Sequence, residues 1–200
     1  PQQRLLDIGI GSGLSALPFV RTGLFVYGID GSAEMLGICR SKNLPVELKQ
    51  FDIRERPWPY ADRTFDHAIA CGVFHFIADI APVFQEVARL VRPSGVFAFT
   101  TKAPVRDIKR HYSTERIGEV QIASHSEQYI GELLAACGFH KLKELKILLS
   151  RGPGERETWR PERRCGQRRR GRRAGRCAHR HGQDGRGRTQ LFERHRLLGL

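Results

Sequence analysis

Two hundred residues, 40% of them hydrophobic, suffice for one α/β domain with an appendage. The formal net charge of +13 is unevenly spread: residues 1–150 carry 18 Lys+Arg against 16 Asp+Glu, whereas residues 151–200 carry 16 against 5. Scattered Cys39, Cys71, Cys137, Cys165 and Cys177, with no Cys-x-x-Cys pair, exclude a disulfide-stapled secreted framework, and no apolar run approaches the roughly 20 residues that span a bilayer. The reading is a soluble, cytoplasmic chain.

The first 150 residues alternate strand-like and helix-like segments, an order that predicts a doubly wound, mostly parallel sheet of Rossmann-like type with helices on both faces. Leu5, Leu6 and Ile8 read as a short buried strand, interrupted by Asp7 and followed by Gly9, Gly11 and Gly13 at alternate positions. Glycine turns a chain sharply and lets its backbone approach a ligand, and Leu14, Leu17, Phe19 and Val20 then continue as a helix facing that turn. A second apolar strand, residues 24–30, again ends in an acid, Asp30. Ser32 follows as the N-cap of a helix with Met35, Leu36 and Cys39 at helical spacing.

A third strand is predicted over residues 46–53, with Asp52 near its end, and a fourth over about 65–71. The helix "APVFQEVARLV", a Pro/Gly turn at "RPSG", a fifth strand, a helix over "SEQYIGELLAACGF" closed by Gly138, and a sixth strand "KLKELKILLS" complete the series. Residues 101–124 are too irregular to assign. Lys102, Arg106, Lys109, Arg110 and His111 within them are suited either to an anionic substrate or to a solvated basic face.

Residues 151–200 hold sixteen arginines, nine glycines and no Lys, Ile, Val, Met, Tyr, Asn or Ser. Such a composition builds no core, so the tail is expected to be disordered, to supply no strand, and to form at most a short helix near "QLFERHRLLGL". An arginine-rich arm binds nucleic-acid phosphates electrostatically. The alternative is a non-native segment, because arginine without lysine is also what GC-rich DNA yields when read out of frame. His179, His181 and Cys177 are accidental neighbours in this reading, and no metal site is expected.

In an open parallel sheet, ligands sit outside the carboxyl ends of the strands. Asp7, Asp30 and Asp52 all fall at such ends, and a carboxylate at the end of the second strand is suited to accept both hydroxyl protons of a ribose. Taken in order, "LDIGIGSG", "GIDGSAEML", "QFDIRERPWPYADRTFD" and "LVRPSGVFAFTT" resemble the motifs of the class I S-adenosylmethionine-dependent methyltransferases over residues 3–150. The resemblance implies S-adenosylmethionine as cofactor and a small molecule as methyl acceptor. It implies that Gly9, Gly11 and Gly13 lie beside the methionine part, that Asp30 binds the ribose hydroxyls, and that Asp52 with Ile53 holds the adenine. Cys71 and Gly72 would line the pocket near the reactive methyl, Asp7 would brace the glycine loop, and Ser32 or Met35 would flank the adenine.

The rival reading is a nicotinamide-dependent dehydrogenase, since Gly11, Gly13 and Ala16 also spell G-x-G-x-x-A. Asp7 stands where that fingerprint has an apolar residue, and Asp52 has no role in it. A third reading is a non-catalytic nucleic-acid binder that uses the tail. His75, after the fourth strand, is the candidate general base, against a merely packed or exposed histidine. Compared with the resembled family, the chain lacks the preceding helix and shows no seventh strand, which reads as a fragment. Neither an oligomeric state nor an acceptor atom is legible.

Overall fold

The computed structural model describes residues 2–44, 46–104, 109–149 and 185–194. In chain order these form β1 (Arg4–Ile8), α1 (Leu17–Arg21), β2 (Phe25–Asp30), α2 (Ala33–Ser41), β3 (Val46–Gln50) and β4 (Phe65–Ala70). A 3-10 turn at Phe74–Phe76 leads to α3 (Ala81–Leu90), β5 (Val91–Ala103), β6 (Tyr112–Ile117), β7 (Val120–His125), α4 (Glu127–Ala136), β8 (Phe139–Leu149) and β9 (Gly185–Arg194). Seven strands make one sheet in the order β3-β2-β1-β4-β5-β9-β8, and β6 pairs with β7 in a separate hairpin.

The pairs β3-β2, β2-β1, β1-β4 and β4-β5 are parallel. The alternation of side chains along a strand sends successive residues of β1 to opposite faces. Leu6 and Ile8 enter a core with Phe65, Phe74, Phe84, Phe97 and Phe99 under α3 and α4, while Leu5 packs with Val26, Leu36 and Cys39 beneath α1 and α2. Because β1 is flanked by β2 on one side and β4 on the other, the strand order reverses there. The crevice this creates opens at the carboxyl ends of β1 and β4.

The expected Ser32 cap forms, its Oγ accepting from Met35 N at 3.2 Å, and Ser126 caps α4 in the same way, its Oγ accepting from Tyr129 N at 3.1 Å. The Pro/Gly turn expected before the fifth strand is instead a bulge inside β5. Phe65 pairs with Val91 and His67 pairs with Val96, so Arg92 to Gly95 loop outward, with Ser94 at φ +67°. A Cβ on Gly95 would stand 2.3 Å from the Asp66 carbonyl oxygen, which restricts that position to glycine.

Three expectations need correction. β3 ends at Gln50 and not at residue 53, because Asp52 starts a turn: its carbonyl accepts from Glu55 N at 2.9 Å and its carboxylate from Arg54 N at 3.0 Å. Within the unassigned 101–124 region lies a hairpin, β6-β7, closed by a two-residue loop whose first residue, Gly118, has φ +61°. The tail was expected to supply no strand, yet β9 pairs antiparallel with both β5 and β8, and residues 190–194 belong to it and not to a helix. Strand pairing between distant segments is satisfied by backbone groups, which the composition of a segment does not register. The rest of the tail, with its proposed phosphate contacts and with Cys177, His179 and His181, lies outside the described residues.

Candidate functional site

The turn after β1 is built by backbone geometry that side chains resist. Gly9, Gly11 and Gly13 have φ of +68°, +53° and +82°. A Cβ on Gly9 would meet Val73 Cγ2 at 2.7 Å, and one on Gly13 would meet Cys39 Sγ at 2.6 Å. Gly9 N and Ile10 N both donate to the Ile29 carbonyl, at 2.8 and 3.2 Å, so the loop leans on the end of β2.

Asp30 completes that link. Its Oδ2 accepts from Gly11 N at 2.8 Å and its Oδ1 from Ser32 N at 2.9 Å, which ties the glycine loop to the start of α2. A carboxylate offers about four lone-pair positions, so two acceptor sites remain on Asp30. Beneath the loop, Asp7 is fully buried; its Oδ2 accepts from the Ser15 hydroxyl at 2.6 Å and its Oδ1 has no partner among the described residues. Burial pushes the Asp7 carboxyl up to about 7; the Ser15 bond opposes this and the Asp30 charge adds to it.

Asp52 lines an open cavity of about 570 Å³, together with Gly31 and Ser32, the two residues after Asp30, and with Gln50, Phe51, Arg54 and Glu55. Arg54 grips the Asp52 carboxylate bidentately, Nε to Oδ1 at 2.9 Å and Nη2 to Oδ2 at 2.6 Å, and holds its pKa below the usual range. Ile53 is buried in the core, and its carbonyl accepts from Trp58 Nε1 at 3.2 Å. Met35 reaches the loop from α2: its Cε lies 3.2 Å from where a Cβ on Gly11 would be.

Cys71 lies exposed at the end of β4, although surrounding atoms crowd its sulfur: desolvation first and the Asp7 charge second raise the thiol to about 11. It is therefore a neutral thiol at neutral pH and not a ready nucleophile. The neighbouring Gly72 N donates to Thr100 Oγ1 at 2.7 Å. His75 sits half-buried in the 3-10 turn, and burial, then the Lys102 charge, lower its pKa. Lys102 is itself paired with Glu115 of the hairpin.

The sheet thus brings Asp7, Gly9, Gly11, Gly13, Asp30, Ser32 and Asp52 to one edge, with Cys71 and His75 on the adjoining β4 loop, and turns the Ile53 side chain inward. Two groups here escape a reading of the sequence. Arg54 stands two residues past Asp52 in an alternating "DIRER", a pattern equally common on solvated loops. His125 gives no local sign at all. It is fully buried, with Nε2 2.9 and 3.1 Å from the carbonyls of Ile77 and Ala78, and Nδ1 3.0 Å from Thr101 Oγ1. Facing two carbonyls, Nε2 must carry the proton, so Nδ1 accepts from the Thr101 hydroxyl. The ring pins the hairpin to the loop after β4. Among the described residues no group of three or more His, Cys, Asp or Glu side chains could hold a metal, and no helix is long and apolar enough to cross a membrane.

Residues 6–99 match the family model of a methyltransferase domain. A ubiquinone biosynthesis O-methyltransferase of Rhodopseudomonas palustris is 32% identical over 107 residues, which cover 49% of this chain and 39% of that protein. For a demethylmenaquinone methyltransferase of Streptomyces avermitilis the identity is 27% over 137 residues, covering 65% and 58%. The chain spans about half the length of these curated relatives. Among solved structures, a SAM-dependent methyltransferase from Methanosarcina mazei superposes with a TM-score of 0.68 at 18% identity, covering 97% of this chain and 93% of that one. The glycine turn, the acids at consecutive strand ends and the strand order accord with these matches: residues 6–99 are similar to a methyltransferase domain, and the fold is that of the S-adenosylmethionine-dependent methyltransferase structures.

Proposed function

We propose that the domain binds S-adenosylmethionine along the carboxyl edge of β1, β2 and β3 and uses it to methylate a small molecule. The observation that carries this reading is the Asp30 carboxylate, fixed by Gly11 N and Ser32 N with two acceptor positions left over, between a glycine loop and an open cavity. The residues fit the cofactor chemically. The unpartnered Oδ1 of buried Asp7 lies below the loop where a cationic amino-acid end would rest, and the cavity walled by Ser32, Phe51 and Asp52 has room for a flat base.

In this reading Gly9, Gly11 and Gly13 line the methionine portion, Asp30 accepts from both ribose hydroxyls, Ser32 and Met35 flank the adenine, and Asp52 and Ile53 hold its polar edge. Cys71 and Gly72 wall the reacting centre, and the neutral thiol of Cys71 adds no competing nucleophile. The bound cofactor supplies a methyl group made electrophilic by a sulfonium. The chain's own task is to hold an acceptor in line with it and exclude water, and orientation of this kind lowers barriers by as much as roughly 7 to 11 kcal/mol. His75, whose pKa burial and the Lys102 charge lower, would take a proton from an acceptor that arrives protonated. The names of the relatives favour an acceptor of the quinone-precursor class.

Calorimetric titration of Asp30→Ala tests the assignment. Loss of the charged acceptor should weaken S-adenosylmethionine binding by roughly 1 to 3 kcal/mol. Affinity equal to that of the wild type would put the ribose elsewhere.

A further inference from the structure

The cavity wall opposite Gly31 and Ser32 is a loop. Residues 51–64, between β3 and β4, contain no helix or strand, yet they carry Phe51, Asp52, Arg54 and Glu55 of the cavity. A wall built on irregular chain is free to move unless something else fixes it. Here the fixing comes from α3 on the far side of the loop. Glu86, only 7% exposed, accepts from Trp58 N at 2.9 Å through Oε2. The same oxygen is held by Arg89 Nη2 at 2.6 Å. Arg89 then forks onto the loop: Nη1 donates to the Tyr60 carbonyl at 2.9 Å and to Asp62 at 2.8 Å, and Nη2 reaches the Trp58 carbonyl at 3.2 Å. Gln85 adds a bond from Arg56 at 2.9 Å.

These bonds do not stop at Trp58. Its indole is 2% exposed and its Nε1 donates to the Ile53 carbonyl, so the position of the Trp58 backbone determines where the residue next to Asp52 sits. The path from α3 to the cavity is continuous: Glu86 and Arg89, Trp58, Ile53, Asp52. A glutamate and an arginine three apart on an ordinary surface helix gain little from pairing. This pair differs in that both members also bond to a single loop, Glu86 to the Trp58 backbone and Arg89 to the Trp58 and Tyr60 carbonyls and the Asp62 carboxylate.

We propose that Glu86 and Arg89 act as a positioning clamp that holds the 52–55 wall of the cofactor cleft at a fixed separation from Gly31 and Ser32, without touching the ligand. The proposal rests on the cofactor reading above and adds the element that sets affinity on the adenine side.

The test uses the full chain and S-adenosylhomocysteine as probe, followed by calorimetry, with thermal unfolding to establish that each variant is folded at the titration temperature. Glu86→Gln keeps the shape and the acceptor for Trp58 N but turns an amide toward Arg89. Arg89→Lys keeps the charge but cannot fork onto the loop carbonyls, and serves if the first variant folds poorly. Each should weaken the probe about tenfold, and combined with Asp52→Ala the losses should be far less than multiplicative, because both changes act through one wall. A merely structural role moves the melting point and leaves the losses multiplicative. Unchanged affinity in both variants, or fully multiplicative losses, overturns the clamp while leaving the cofactor reading intact. A wild-type chain that does not bind the probe removes the reading on which the clamp rests.

Discussion

Asp7 is fully buried, has one carboxylate oxygen without a partner, and titrates near 7. Its folded pKa lies above the unfolded value near 3.9, so the folded state holds the proton more tightly. That contribution to stability is present at low pH and is lost as pH rises through about 7. Asp7→Asn removes the titration. Denaturant unfolding of the ligand-free chain should show the variant gaining on the wild type by roughly 2 to 4 kcal/mol between pH near 5 and pH near 8. An offset that does not change with pH would mean that Asp7 is not the titrating group. The position of Asp7, Asp30 and Ser32 was legible because strand ends, glycine spacing and caps are local features. The near-neutral pKa was not, since it arises from burial and from the proximity of Asp30, both products of the assembled sheet.

At the scale of elements, the caps and the strand-helix alternation could be read directly, but the β6-β7 hairpin could not. All but one of the residues of β6 are exposed, so no hydrophobic alternation marks it, and its loop is a Gly-Glu pair flanked by the exposed Ile117 and Val120. His125 anchors the hairpin through hydrogen bonds to Ile77, Ala78 and Thr101, all distant from it in sequence. Burial lowers its pKa, outweighing the two carbonyl bonds that favour protonation. The folded state therefore resists a proton that the unfolded chain accepts. Stability from this group is complete above the unfolded pKa near 6.5 and falls as pH drops below it. His125→Ala should cost about 2 to 4 kcal/mol at neutral pH, from the emptied site and two stranded carbonyls. It should also lower amide-exchange protection across Tyr112–Ile117 more than across β1. Equal protection in the two strands would show that the hairpin is held by other contacts.

For the whole molecule, the parallel half of the sheet followed from the order of elements, whereas the place of β9 did not. Its pairing connects β8 to β5 over residues 185–194, so among the described residues β8 joins the main sheet only through it. Truncation after residue 184 should leave β8 without a strand partner and reduce exchange protection in Phe139–Leu149 to that of a frayed segment, with β1, β2 and β4 retained. Unchanged protection would mean that β8 finds another partner. Because the proposed cofactor edge is formed by β1 to β4 and α2, it is independent of that junction, and ligand binding should survive the truncation.

The central claim, that this edge is a S-adenosylmethionine site, is tested most directly by calorimetric titration of the intact chain with S-adenosylmethionine, S-adenosylhomocysteine and a nicotinamide dinucleotide in parallel. The account predicts saturable binding of the first two at one common site, each displacing the other, and no heat from the third. Binding of the nicotinamide dinucleotide with none of the other two would contradict it.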